Sequence, residues 1–449
     1  MVLIDAATRS ASRPAGHGGH QRSGQPAHSR LKALGCGTFT QTGPADIEHA
    51  AGQTSLARRL ARPGPKRILS LDGGGTRGIV SLGFLAEIER ALCGDDPAAR
   101  LADHFDLIGG TSTGAVIAAA LALGWRVTDI REMYMRFAAE VFRRRWRRWL
   151  LLTRYRSEPL ERLLRESLHP MGQSGADVLL GGAELLTGLA IVMKRVDTGS
   201  PWVVSNLPGA PHFGDRDGAA NGNARLPLRK LVQASAAAPL FFEPAELNLG
   251  QRADGAMERA RFVDGGVTPY NNPALRLLEL ARLPAFGLRW PVGPERLMIV
   301  SVGTGRFRMR EPARPTFAEA PGAWLRGLPS RLPLLQAIFA LRGTIKDGEM
   351  HALRSLYGLG WSPAPTLLDG EVGRMEGGGV TDAPLFTVLR YDLDFDAMAR
   401  AGEISAAEAR RFQDFDAPAD MARLHALAHA AACQAVMPEH LHFPAPPAG

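Results

Sequence analysis

Hydrophobic residues in this chain fall into short blocks that end on glycine, separated by stretches of helical spacing. Arg67-Ile-Leu-Ser-Leu-Asp72 is the first block, closed by Gly73, and it predicts a buried strand. From Gly78 to Cys93 the apolar residues Ile79, Leu82, Leu85, Ile88 and Leu92 recur three or four positions apart, which predicts a helix with one face in the core. Phe105–Ile108 predicts a second strand and Ala115–Leu123, apolar almost throughout, a buried helix. Leu189–Met193 and Trp202–Ser205 read as strands, and Leu228–Ala238 as a helix stopped by Pro239. Arg261–Asp264 and Leu297–Val302 read as strands that close on Gly265-Gly266 and on Gly303-Thr-Gly305. Beyond Gly305 the pattern weakens. Residues 330–341 suggest an amphipathic helix, Leu385–Tyr391 a strand, and Ser405–Phe412 and Asp420–Val436 helices. Strands alternating with helices predict a three-layer α/β/α arrangement around a mostly parallel sheet.

Three parts follow from this pattern. Residues 1–65 are rich in Gly, Ser, Arg, His and Pro without apolar periodicity, and are expected to be a flexible leader. Residues 66–280 carry the motifs below and are expected to form the catalytic domain. Residues 281–449 hold the last core strand (297–302) and a mixed, mainly helical extension.

Composition narrows the class. With 449 residues, 45% hydrophobic and 22% charged, the chain can bury a sizeable core, so a wholly disordered protein is excluded. The longest apolar run, near Ala115–Trp125, falls far short of the ~20 residues of a spanning helix. The opening Met-Val-Leu-Ile-Asp lacks the pattern of a secretory signal. Cys36, Cys93 and Cys433 are scattered and form no CxxC pair, which fits a reducing compartment. A cytoplasmic protein is expected, with export lacking a cleavable signal left open. The net charge of +8 suits nucleic acid or an anionic membrane. The cations are nearly all Arg beside abundant Ala, Gly and Pro, which reads equally as compositional bias.

Three strand ends carry the chemistry. Gly110-Thr-Ser112-Thr113-Gly114 lies between a strand and an apolar helix, the setting of a nucleophile elbow. There the serine hydroxyl projects over a helix N-terminus whose free N–H groups face a developing oxyanion. The alternative is a Ser/Thr-rich helix cap. Asp72-Gly73-Gly74-Gly75-Thr76-Arg77-Gly78 exposes successive backbone N–H groups as an anion nest. Gly73, Gly75 and Gly78 also fit GxGxxG, but a dinucleotide fold wants an acidic strand end ~20 residues on, where the chain reads Leu92-Cys-Gly-Asp-Asp-Pro97. A phosphate loop of the actin-like kinase type is a further alternative. The third strand end is Asp264-Gly265-Gly266.

In this order, the three motifs resemble the patatin-like phospholipase family. Arg67–Glu87 is similar to that family's opening strand, oxyanion loop and helix, and Phe105–Ala115 to its nucleophile segment. Ala234–Phe242, Phe262–Val267 and Asn271–Ala274 resemble its later segments. The resemblance covers Arg67 to Gly305 and implies a patatin-like α/β/α fold with a Ser112–Asp264 dyad. It also implies oxyanion donors from Gly73, Gly74 and Gly75, with Arg77 and Gly78 in the same loop, and an acyl-enzyme route without cofactor or metal. Phospholipid or another acyl lipid would be the substrate.

Two other readings stay in view. One is a catalytically silent or activator-gated lipid-binding protein on the same fold. The other is a Ser-Asp-His esterase, since His351, His425, His429, His440 and His442 follow Asp264. His425 and His429 share a helix face but lack the Glu of HExxH, and His17, His20 and His28 lie in the leader. Arg143–Arg156 mixes cations with Trp and Tyr, a mixture that suits a membrane interface. Arg144, Arg145, Trp146, Arg148 and Trp149 are the candidate contacts, the alternative being a solvated basic helix with packed tryptophans. Nucleic acid is not expected as a partner, whereas an activator is left open.

Overall fold

A computed structural model describes residues 55–142, 155–170, 173–216, 219–251, 254–307, 333–369, 371–375 and 378–445. The chain enters through helix α1 (Ser55–Ala61) and strand β1 (Lys66–Leu71), followed by α2 (Gly78–Cys93), α3 (Leu101–His104), β2 (Leu107–Thr111) and α4 (Thr113–Ala122). Helices α5 (Val127–Val141) and α6 (Ser157–Ser167) precede β3 (Gly188–Arg195), β4 (Pro201–Ser205), α7 (Leu228–Ser235), β5 (Ala245–Gln251), β6 (Met257–Asp264) and α8 (Ala274–Arg282). The rest comprises β7 (Leu297–Val302), α9 (Pro333–Leu359), β8 (Thr387–Tyr391), α10 (Phe395–Arg400), α11 (Ala406–Arg411) and α12 (Met421–Ala435).

The strands form one sheet in the order β5-β6-β3-β2-β1-β7-β8, with β4 on β3. Parallel pairing runs from β3 through β2, β1 and β7 to β8, whereas β4, β5 and β6 pair antiparallel. Central strands are buried on both faces, as their continuous apolar runs require. Leu69, Leu71, Val300 and Val302 join one core with α2, α4, α5, α7 and α12. Ile68, Leu297 and Ile299 join the other with α8 and α9. Strand alternation therefore splits one apolar run between two helical layers. No described helix is long and apolar enough to cross a membrane.

Two features bear on the expected three-part division. Ser55–Ala61, within the stretch read as leader, is helical, with Leu60 buried in the second core. The Leu60 carbonyl accepts from Trp290 Nε1 at 3.1 Å. Residues after 280 carry strands where they were expected, at 297–302 and within 385–391. They supply β7 beside β1, β8 beyond it, and α12 packed along α2. From Gln53 onward the chain is one compact unit. Helix α9 begins near the expected start but runs on to Leu359.

Candidate active site

Strand β3 brings the two distant chain segments together. Strand β2 runs along one edge of β3 until Thr111 faces Val192, while β4 holds the other edge. Where β2 stops, β6 enters from the opposite direction and sets Asp264 against Met193. Ser112 follows Thr111, so the two side chains end in neighbouring places on the same edge. The local sequence makes this turn sharp. Ser112 has φ 55° and ψ −123°, a conformation a non-glycine residue holds only when its surroundings impose it. A Cβ on Gly114 would come within 2.4 Å of the Leu71 carbonyl oxygen, so α4 can start against β1 only with glycine there. Gly110 faces the same first turn of α4 from the end of β2. The Ser112 N–H donates to Ser235 Oγ at 2.8 Å, and Ser235 Oγ–H donates to the Val192 carbonyl at 2.6 Å.

Ser112 Oγ donates to Asp264 Oδ2 at 2.5 Å, and Asp264 Oδ1 accepts from the Gly266 N–H at 2.6 Å. Both side chains are buried. Burial raises the Asp264 pKa to about 6, against the lowering effect of the Ser112 and Gly266 hydrogen bonds. Desolvation makes this carboxylate more basic than a free aspartate, and it sits within reach of the serine proton.

The glycine loop passes over the same site. The Gly73 N–H donates to the Asn271 carbonyl at 3.2 Å, and the Gly74 N–H to Thr113 Oγ1 at 3.2 Å. Among the described residues the Gly75 N–H has no acceptor. Gly75 has φ +58°, and a Cβ there would lie 2.2 Å from the Phe415 carbonyl oxygen, so only glycine fits. Tyr134, from α5, donates its hydroxyl to the Gly75 carbonyl. Arg77 is buried, gives Nη1 to the Gly305 carbonyl at 3.1 Å, and lies over Phe415 and Phe307.

Ser112, Asp264 and Gly73–Gly75 open into a cavity of about 630 Å³. Its lining includes the apolar Val116, Phe137, Val141, Leu160, Leu240 and Phe242 and the charged Arg77, Arg342, Lys346, Asp414 and Asp416. No described histidine lines the cavity. His425 and His429 stack on α12 with ring centroids 6.3 Å apart. His429 turns Nδ1 toward Glu87 Oε1 (3.6 Å) and Nε2 toward Cys433 Sγ (3.9 Å), so its two nitrogens serve different neighbours. Arg144, Arg145, Trp146, Arg148 and Trp149 lie outside the described residues.

The motifs thus converge, but several site residues carried no sequence signal. Tyr134 lies on α5, which no expectation covered. Arg342 and Lys346 lie on α9, past the point where the pattern fades. Ser235 is visible in Ala-Ser-Ala-Ala-Ala-Pro, though its bond to the Ser112 amide needs the fold.

Residues 69–278 match the model of the patatin-like phospholipase family. Over that segment the chain is a patatin-like phospholipase domain, and the observed α/β sheet is the fold expected for it. A cGAMP-activated phospholipase of Escherichia coli (strain TW11681) is 33% identical over 223 residues, 48% of this chain and 56% of that relative. A cUMP-AMP-activated phospholipase of Escherichia coli is 31% identical over 229 residues, 51% of this chain and 63% of the relative. Patatin-15 of Solanum tuberosum is 29% identical over 254 residues, 53% and 60% respectively. The chain therefore spans 56–63% of the length of these relatives.

Proposed function

We propose that the protein is a lipid acyl hydrolase of the phospholipase A type, acting through Ser112 and Asp264. The observation that carries this reading is the 2.5 Å contact of Ser112 Oγ with a buried carboxylate, both lining a cavity rich in apolar side chains. A serine hydroxyl attacks only when a base takes its proton. Asp264 Oδ2 accepts that proton as Oγ bonds to the acyl carbon. The oxyanion is met by amides of the glycine loop, and the proton passes to the departing lysolipid oxygen. Water, deprotonated by Asp264, then adds to the acyl-Ser112 ester, and Ser112 leaves as the hydroxyl with the fatty acid released. The chain's own residues supply the nucleophile, the base and the oxyanion donors, and the apolar side chains of the cavity suit an acyl chain.

The test is fatty-acid release from mixed phospholipid vesicles. Wild type releases fatty acid, and Ser112→Ala and Asp264→Asn, both folded, lose at least roughly a thousandfold, on the scale of a lost general base and nucleophile. Release persisting in Ser112→Ala overturns the dyad. Vesicle binding without release by wild type favours the silent lipid-binding reading.

An activator-gated enzyme is the second reading. In the resting loop two of the three glycine amides are already engaged, so a full oxyanion hole requires those bonds to be exchanged. The bacterial relatives named above as activated by cyclic dinucleotides point the same way. Under this reading cGAMP or cUMP-AMP raises wild-type release severalfold or more, and unchanged release with both removes them as activators. Peripheral membrane contact through Arg144, Arg145, Trp146, Arg148 and Trp149 is part of the proposal. Replacing those arginines with Gln weakens co-sedimentation with anionic liposomes, and unchanged co-sedimentation removes that contact.

A further inference from the structure

We infer that Arg342 and Lys346, beside Arg77, form an anion subsite that holds the phosphodiester of the substrate's own head group. This deepens the acyl-hydrolase reading and rests on it, but concerns residues beyond the matched segment.

The cations that line the cavity gather on two phenyl rings. The Arg77 guanidinium lies 4.5 Å from the centroid of Phe415 and 5.2 Å from that of Phe307. Arg342 lies 5.3 Å from the same Phe415 ring, and Lys346 Nζ is 4.8 Å from the Phe307 ring. Three cations are thus held on two rings in one cavity. Arg342 and Lys346, with Leu341 and Ile345, occupy a single face of α9 turned to the cavity. That helix is anchored further on by Leu353, Leu356 and Tyr357 in the second core.

Arg77 is 2% exposed, and its buried Nε has no hydrogen-bond partner among the described residues. Arg342 gives Nη2–H to the Gln413 carbonyl at 3.0 Å. Lys346 pairs with Glu349 Oε2 at 2.9 Å, but Glu349 is shared with Arg390 at 3.4 Å. Of the carboxylates nearby, Asp416 accepts from the Tyr155 hydroxyl at 2.7 Å, and Glu349, Asp392 and Asp414 all act on the charge of Arg77. Burial lowers the Arg77 pKa to about 10; Glu349 opposes this and the like charge of Arg342 adds to it. An anion between Arg77 and Arg342 offsets their like charge. A phosphodiester fits best because its two free oxygens accept from guanidinium and ammonium together. The same cavity offers Ser112 to the ester, apolar side chains to its acyl chain and these cations to the head group.

The test measures equilibrium binding of short-chain diether phosphatidylglycerol and diether glycerol, neither of which is cleaved. Wild type is compared with Arg342→Gln/Lys346→Gln and with the charge-conserving Arg342→Lys/Lys346→Arg. The proposal expects the ratio of the two affinities, phospholipid over neutral lipid, to fall tenfold or more in the first variant and to recover in the second. An unchanged ratio overturns it. So does stimulation of neutral-ester hydrolysis by soluble glycerophosphoglycerol that is lost in the Gln variant, because the site would then take a free phosphodiester. Failure of Ser112→Ala to lose hydrolysis sinks the dyad and leaves the binding ratio standing, so the two readings fail separately.

Discussion

Asp264 decides the pH behaviour of the reaction proposed here. With its pKa raised to about 6 by burial, it acts as a base only once ionised. Under that mechanism kcat rises as pH passes through about 6 and levels off above, and a profile flat from pH 5 to 8 removes Asp264 as the base. The same shift enters stability with the opposite sign. The folded pKa lies above the unfolded one, so the contribution is fully present below about pH 4 and is lost as pH rises through about 6. Two units at about 1.4 kcal/mol each amount to ~3 kcal/mol. Asp264→Asn escapes that penalty. It is expected to unfold at higher denaturant than wild type at pH 8, with the gap closing near pH 4. A gap independent of pH contradicts the assignment. Tyr134 acts one step away, by holding the Gly75 carbonyl and so the direction of its peptide. Tyr134→Phe removes one hydrogen bond, worth about 1 kcal/mol. If that bond presets the oxyanion loop, kcat falls roughly tenfold while KM stays near wild type. Loss of stability with unchanged kcat assigns Tyr134 to packing alone.

At the scale of elements, the site exists because two strands end in one slot. The short apolar runs ending on glycine were legible as strands, since burial on both faces writes itself into consecutive residues. The pairing of β2 and β6 beside β3 was not, because register between segments 152 positions apart leaves no local trace. Helix α5 was missed for a related reason. Its buried Ile130, Met133, Tyr134, Phe137 and Val141 alternate with Asp, Arg and Glu, so its polar face diluted the apolar signal. Strand β5 is an edge strand with half its residues facing out, and such a strand carries little hydrophobic contrast. The packing of α12 on α2 was also hidden, although it turns on one residue. A Cβ on Gly83 would meet Ala428 Cβ at 2.6 Å. Gly83→Ala gains helix propensity of about 1 kcal/mol, yet overpacking costs about 1–3 kcal/mol. Net destabilisation is expected in a denaturant titration, whereas a stabilised variant would show that α12 shifts freely.

Across the whole molecule, the family segment and the folding unit do not coincide. The match ends at residue 278, yet β1 at the centre of the sheet pairs on one side with β7, from Leu297 to Val302. Every residue of β7 is buried. Cutting the chain after α8 leaves one edge of β1 with unpaired N–H and C=O groups, and it bares the apolar faces that β7, α9 and α12 cover. Such an edge and such a face favour aggregation. It also removes Thr304, whose hydroxyl donates to the Gly73 carbonyl at 3.1 Å, and Phe415, whose carbonyl accepts from the Thr76 N–H at 2.8 Å. Both hold the glycine loop from outside the matched segment. A chain of residues 55–282 is therefore expected to be insoluble or partly folded and to release no fatty acid, while residues 55–445 melt cooperatively. Cooperative unfolding of the shorter chain would show that the sheet closes on β1 without its C-terminal half. If it also released fatty acid, the glycine loop would need neither Thr304 nor Phe415.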